Sequence, residues 1–270
     1  MSEGVFSLPE QLAARLARRE VKAVVLAGGK GTRLAPYTSV LPKPLMPIGD
    51  RSILEVVLQQ LHSNGIFDVT LSVGYLSHLI EAVLGDGSAY GASVKYVREA
   101  EALGTAAPLR LIGGLDSTFI VMNGDVLTKL DYRALLRHHH EQKNLVTIAA
   151  KKRRIKIDYG VLHVGSNGNS GRLRRFVEKP EMTSRVSMGI YVMEPAALDY
   201  IPSEGHFDFP DLIAALLRAR EAVGVYDYDG LWFDIGRAED YEQAVGAWAS
   251  GSEDDLETPS LDAVGAQQGD

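Results

Sequence analysis

From Val21 onward, short β-branched apolar runs alternate with amphipathic stretches. No other feature narrows the choice of fold as far, because this is the pattern of βα units wrapped around a buried, mostly parallel sheet. The runs predict strands near 21–27, 68–74, 93–99, 118–123, 145–151, 159–164, 173–177, 187–193 and 222–228. Helices fit near 52–63, 77–84, 105–113, 131–142, 194–200, 209–221 and 237–248. Ile53, Val57 and Leu61 repeat at helical spacing, and Gly65 supplies a stop. From about residue 145 the strands come closer together, which predicts an antiparallel excursion added to an α/β sheet. The 270 residues suffice for one large α/β domain or two small ones.

Composition removes several classes of chemistry. The chain has no Cys, so disulfides, thiolate zinc sites, iron–sulfur clusters and cysteine nucleophiles are excluded together. Apolar runs of about five residues, such as Ala23 to Ala27, fall far short of the ~20 that a membrane span needs. Without a membrane partner or a secretory signal, the expected location is cytoplasmic. The formal charge is −7, but Glu253, Asp254, Asp255, Glu257, Asp262 and Asp270 supply six of those charges, leaving −1 on the rest. Such a body has no general field for nucleic acid, so any phosphate recognition must be local.

Three segments are expected. Residues 1–20 form a helical extension, with Ser7 and Glu10 spaced as a capping box and Leu8, Leu12 and Leu16 on one stripe. Residues 21–249 form the main domain, and residues 250–270 an acidic tail too poor in apolar residues to order itself.

The strongest local signal follows the first strand: Leu26-Ala27-Gly28-Gly29-Lys30-Gly31-Thr32-Arg33-Leu34, with Pro42-Lys43-Pro44-Leu45 shortly after. Three glycines let the backbone approach a ligand closely and leave peptide N–H groups free for phosphate oxygens. A dinucleotide fingerprint needs a third glycine where Leu34 stands, although Asp50 lies at a suitable distance downstream. A P-loop needs Gly-Lys-Ser/Thr, and Lys30-Gly31-Thr32 has the wrong order. Taken alone, the segment reads equally as a phosphate site or as a plain strand-to-helix turn.

Further elements follow in order: Leu103-Gly104-Thr105-Ala106, Asn123-Gly124-Asp125, Tyr159-Gly160-Val161, Phe176-Val177-Glu178-Lys179-Pro180, Gly189-Ile190-Tyr191 and Trp232-Phe233-Asp234-Ile235-Gly236. With the glycine-rich signature and the Pro-Lys-Pro element, the stretch from about Val21 to Ala249 resembles the sugar-1-phosphate nucleotidylyltransferases, closest in pattern to mannose-1-phosphate guanylyltransferase-like proteins. The resemblance implies a Rossmann-like three-layer sandwich with a mixed, mostly parallel sheet, of the nucleotide-diphospho-sugar transferase type. It also implies an enzyme that joins a nucleoside monophosphate from a nucleoside triphosphate to a sugar 1-phosphate.

Roles follow from the same resemblance. Arg33 steadies the leaving β- and γ-phosphates, Lys43 bridges the triphosphate and Lys179 holds the sugar phosphate. Asp125 and Asp234 bind Mg²⁺. Leu26, Ala27, Gly28, Gly29, Gly31, Thr32, Leu103, Gly104, Thr105 and Gly124 contact the nucleotide, while Gly160, Glu178 and Gly189 face the sugar. Read as a regular strand, Glu178 and Lys179 point to opposite sides, so Pro180 is expected to break the strand there.

Glu99 carries the hint about the base. A carboxylate accepts both donors on one edge of guanine, N1–H and the amino group, whereas uracil and thymine suit an amide better. GTP is therefore expected, with a surface Glu paired to Arg98 or Lys95 as the competing reading. Mannose 1-phosphate leads, but Val186-Ser187-Met188-Gly189 lacks the asparagine that many mannose relatives carry before this glycine, which leaves heptose and glucose 1-phosphates open. The chain ends soon after the helix near 237–248, where many relatives continue, and so resembles a transferase domain by itself. Dimers and tetramers occur in the family, and a homo-oligomer is an expectation without a legible interface.

His138, His139 and His140 are about 100° apart on a helix and read as a polar face rather than as a metal site. Phe207, Phe209, Tyr226, Tyr228 and Trp232 read as packing or pocket wall, since no basic stripe accompanies them. Two other classes compete with the enzyme: a nucleotide-sugar-binding regulatory subunit, and an NAD-dependent oxidoreductase, which Leu34 disfavours.

Overall fold

The computed structural model describes residues 20–99, 101–165 and 171–250. The expected amino-terminal helix and acidic tail lie outside the described residues. Thirteen strands are described: β1 (Lys22–Ala27), β2 (Pro47–Ile48), β3 (Arg51–Ser52), β4 (Asp68–Val73), β5 (Ser93–Arg98), β6 (Phe119–Asn123), β7 (Val126–Thr128), β8 (Val146–Lys156), β9 (Val161–Val164), β10 (Leu173–Val177), β11 (Glu181–Met193), β12 (Val223–Asp227) and β13 (Trp232–Asp234). The helices are α1 (Ile53–Ser63), α2 (Ser77–Leu84), α3 (Tyr132–Gln142), α4 (Phe209–Arg218) and α5 (Ala238–Ser250).

Seven strands form the central sheet in the order β12-β8-β11-β6-β1-β4-β5. The pairs β1–β4, β1–β6, β4–β5 and β12–β8 are parallel, and β11 runs antiparallel to both of its neighbours. This is the mixed, mostly parallel sheet expected, and strand alternation gives it two buried faces. Val25 and Ile120 face one core with α1, α2 and α3, while Val24 and Val121 face the other with α4. Helices on both faces make the three-layer sandwich.

Local chemistry sets the helix starts. Ser52 caps α1 in a capping box with Glu55, and Asp208 caps α4 in one with Asp211, with Pro210 in the first turn. Two expected helices, 105–113 and 194–200, are instead 3₁₀ turns at Ala107–Leu111 and Pro195–Tyr200. Pro108 and Pro195 each remove a donor from segments too short to regain it by α-helical pairing. The helix expected to reach 221 stops at Arg218, since the chain turns through Arg220 at φ 62°.

β8 and β11 run well beyond their expected limits, reaching Lys156 and starting at Glu181. The added pairs, from Lys151↔Val186 to Lys156↔Glu181, are rich in charge and carry little apolar signal. Beyond them β9 and β10 form a separate two-stranded ribbon.

The three histidines disperse, and the expected polar face needs correcting at its centre. His139 is 1% exposed, with Nδ1 2.8 Å from Thr147 Oγ1 and Nε2 3.1 Å from Glu194 Oε1. His138 instead sets its ring against Tyr226. Among the described residues, no helix is long and apolar enough to cross a membrane.

Candidate active site

The chain runs from β1 out to β4 and β5 and then returns to β6 on the other side of β1. The connections leaving β1 and β6 therefore diverge at their carboxyl ends, where open α/β sheets place ligands. An open cleft of about 360 Å³ lies there. Leu26 and Ala27 at the end of β1 and Gly28, Gly29, Gly31 and Arg33 in the turn after it line the cleft, joined by Lys43, Glu99, Gly104, Thr105 and Asp125. Thr32, Leu103 and Gly124 supply backbone beside these walls: Thr32 opens a 3₁₀ turn, Leu103 O accepts from Phe207 N at 2.9 Å, and Gly124 N donates to Leu26 O at 2.8 Å.

Gly31 caps the Thr32–Leu34 turn at φ 61°, a left-handed conformation that favours glycine, and its carbonyl accepts from Thr38 Oγ1 at 2.8 Å. Leu34 is buried in the core and anchors the turn from below. The residue that breaks the dinucleotide fingerprint thus has a structural task.

Four charged groups converge at the far wall. Lys43 is buried, unusual for Lys unless it is paired, and its ammonium donates to Asp125 Oδ2. Asp125 Oδ1 is also buried and has no hydrogen-bond partner among the described residues. β13 pairs with β7 so that Asp234 lies opposite Val126, and Ile235 N donates to Asp125 O at 3.2 Å. This ladder brings together two acids more than a hundred residues apart. Asp234 is reachable by solvent yet densely surrounded, and its carboxyl is pushed up by burial first and by the Asp125 charge second, against the pull of Lys43 and Arg33. An orphaned carboxylate oxygen beside a second, repelled carboxylate is a donor set that suits a hard divalent cation completed by phosphate oxygens and water.

Glu99 faces the cleft. Its Oε1 accepts from Ser72 Oγ at 2.9 Å, and burial pushes its carboxyl up. The competing surface pairing does not form, because Arg98 is bonded to Glu81 at 2.6 Å and Lys95 pairs with Asp68 at 3.5 Å. A Cβ added to Gly28 would stand 2.7 Å from Glu99 Oε1, so the two walls nearly touch at this end.

The sugar-side candidates form a second group. A Cβ on Gly160 would lie 3.1 Å from Glu178 Oε2 and against the Phe176 ring, which brings Gly160 and Glu178 together. Gly189 packs on the side chain of Asn123, a cleft residue, and so links the two groups. Lys179 adopts φ 42° between the end of β10 and the start of β11, the strand break that Pro180 predicts.

Sequence reasoning missed Asn123, His206 and Asp208. Asp208 Oδ1 accepts from Thr105 N at 2.8 Å and from Thr105 Oγ1 at 3.0 Å, so that hydroxyl is committed to the protein. Asp208 lies just before the helix expected from residue 209, and nothing in its neighbourhood announces a partner 103 residues away. Gly104 sits at φ 92°, and a Cβ there would meet Phe207 O at 2.7 Å. Gly104→Ala therefore combines backbone strain with a contact to rigid main chain. Chemical denaturation should show a loss of about 2–3 kcal/mol, and a loss below about 0.5 kcal/mol would mean that this turn is not held as described.

The family model described as Nucleotidyl transferase matches residues 22–250. This chain belongs to the sugar-1-phosphate nucleotidylyltransferase family. The transferase is 32% identical over 262 residues to the UTP–glucose-1-phosphate uridylyltransferase of Synechocystis, covering 90% of this chain and 67% of that protein. It is 34% identical over 232 residues to the mannose-1-phosphate guanyltransferase of Yarrowia lipolytica, covering 82% of this chain and 62% of the relative. The crystal structure of HddC from Yersinia pseudotuberculosis superimposes with a TM-score of 0.65 at 25% identity, covering 84% of this transferase and 99% of HddC. The fold is that of the nucleotide-diphospho-sugar transferases.

Proposed function

We propose that this protein transfers GMP from GTP to mannose 1-phosphate, giving GDP-mannose and pyrophosphate. The observation that carries the reading is the gathering of Arg33, Lys43 and Asp125 in a cleft lined by glycine-rich backbone, with the Asp234 carboxyl close enough to feel the charge of all three. Two anions must meet for this reaction, and their repulsion opposes approach before any bond changes. Catalysis then rests chiefly on positioning and fixed charge.

The phosphate of the sugar has a second pKa of about 6, so its attacking oxygen is ionised at neutral pH and needs no general base. That oxygen forms a bond to the α-phosphorus as the bond from the α-phosphorus to the bridging oxygen breaks in line. The electron pair leaves with pyrophosphate, and no proton has to move. Arg33 neutralises the leaving phosphates, Lys43 spans the triphosphate beside Asp125, and Lys179 receives the sugar phosphate. Gly160, Glu178 and Gly189 line the sugar's path. Asp125 and Asp234 would hold Mg²⁺, which supplies charge neutralisation at the α-phosphate when bound.

Glu99 supports GTP, since it faces the cleft rather than its charged neighbours. The similarity to a uridylyltransferase keeps UTP with glucose 1-phosphate as the second reading. A grid of nucleoside triphosphates against sugar 1-phosphates, scored by pyrophosphate release, separates the two. GTP with mannose 1-phosphate should be fastest; silence across the grid would leave a non-catalytic nucleotide-sugar-binding subunit as the account. Glu99→Gln should cut the preference for GTP over UTP by about tenfold, the equivalent of about 1.4 kcal/mol. An unchanged preference would remove Glu99 from base selection.

A further inference from the structure

We propose that His206 is a nucleotide-binding residue of the cleft, where its imidazole face stacks on the nucleobase. The inference rests on the nucleotidyl-transfer reading above and adds a wall that none of the sequence motifs contains.

Arg33, Lys43 and Asp125 share the cleft lining with Glu99, Gly104 and His206, and His206 stands beside Gly104. His206 arrives from the connection between Tyr200 and α4, far in sequence from the other cleft residues, and its side chain is 60% exposed. An exposed side chain on a connecting segment would ordinarily sample many positions. This segment is fastened at several points. Arg110 donates from Nη1 to Pro202 O and from Nη2 to Gly205 O at 3.2 Å, which clamps the turn just before His206. Just after it, Phe207 N donates to Leu103 O at 2.9 Å, and Ala106 N donates to Phe207 O at 3.0 Å. Asp208 then holds Thr105 through both its amide and its hydroxyl. The glycine turn and the His206 segment are stitched into one unit.

The ring orientation leaves one role open. The Cε1 edge lies 3.0 Å from the Cβ position of Gly104, and Nε2 lies 3.8 Å from Asp208 Oδ2. With that edge turned towards protein, a ring face remains for a planar ligand. Every nucleobase offers a π-face, and base–aromatic stacking contributes about 1–3 kcal/mol. Asp208 acts through Thr105 and His206 and is a positioning residue.

The test uses the full chain, with GTP and mannose 1-phosphate in MgCl₂, or whichever substrate pair the wild type turns over fastest. His206→Ala should raise the KM and the calorimetric Kd for the triphosphate roughly tenfold, with kcat and the sugar-phosphate KM changed less than about twofold. His206→Phe should keep most of the affinity, because it retains a ring face and loses the nitrogens. Asp208→Ala should raise the triphosphate KM in the same way, and Asp208→Asn, which keeps an acceptor oxygen for Thr105, should restore it. Unchanged triphosphate affinity in His206→Ala overturns the proposal, as does a Phe variant as weak as the Ala variant. A wild type that binds none of the triphosphates would instead sink the reading on which the proposal rests.

Discussion

Asp125→Asn should lower kcat about a thousandfold while the fold survives, because a charge aimed at the developing transition state matters more than one that only retains substrate. Triphosphate Kd should change by less than tenfold. Turnover within tenfold of wild type would remove Asp125 from the chemistry. The companion change, Asp234→Asn, separates function from stability. Burial and the Asp125 charge hold the Asp234 carboxyl above its ordinary range. An acid whose folded pKa exceeds its unfolded value stabilises the protein at low pH, and that stability is lost as pH rises through the folded pKa. Free of divalent cation, Asp234→Asn should therefore match wild type in acid and melt higher at neutral pH, by roughly 1–3 °C after solvent screening. Adding MgCl₂ should raise the wild-type melting temperature and leave both Asn variants nearly unmoved. A variant that melts lower at neutral pH would mean that the two acids do not repel.

The second large effect belongs to Lys43. Lys43 is buried, bonded to Asp125, and lines the cleft beside it. Lys43→Met should lower kcat/KM at least a hundredfold, about 2.7 kcal/mol, by removing a fixed positive charge where triphosphate charge collects. It should also lower the melting temperature by several degrees, since it leaves Asp125 partly buried without its counter-charge. Because Asp125 then lacks its partner cation, MgCl₂ should recover more of the melting temperature in this variant than in wild type. A variant that loses activity without gaining sensitivity to MgCl₂ would show that Lys43 does not face the acid pair.

The parallel half of the sheet was plain in the sequence because buried parallel strands are continuous β-branched runs. Lys22–Ala27, Asp68–Val73 and Phe119–Asn123 fall within a residue of expectation. Strands β7 and β13 were not legible. Each has only three residues, and their pairing exists because a connection 103 residues downstream returns to lie alongside, as Thr128 Oγ1 to Leu231 O records. Asp125 and Asp234 could thus be named as partners by resemblance, but not joined by any local pattern. Glu99 needed the structure for the opposite reason: its neighbours Arg98 and Lys95 offered pairings that are taken by Glu81 and Asp68 instead. His206 was silent, since an imidazole after Gly205 in a turn-rich segment carries no periodicity and no motif.

β11 is one strand with two registers. Its outer half pairs with β8 as far as Ser187↔Ala150, and the ladder resumes only at Tyr191↔Ile148, with Gly189 at φ 71° in the interruption. A bulge of this kind decouples the alternation on its two sides. The outlying arm can therefore lose or gain a pair of residues without turning Ile190 or Val192 out of the interior. Sequence change in the arm is thus insulated from the packing of the sheet beneath it.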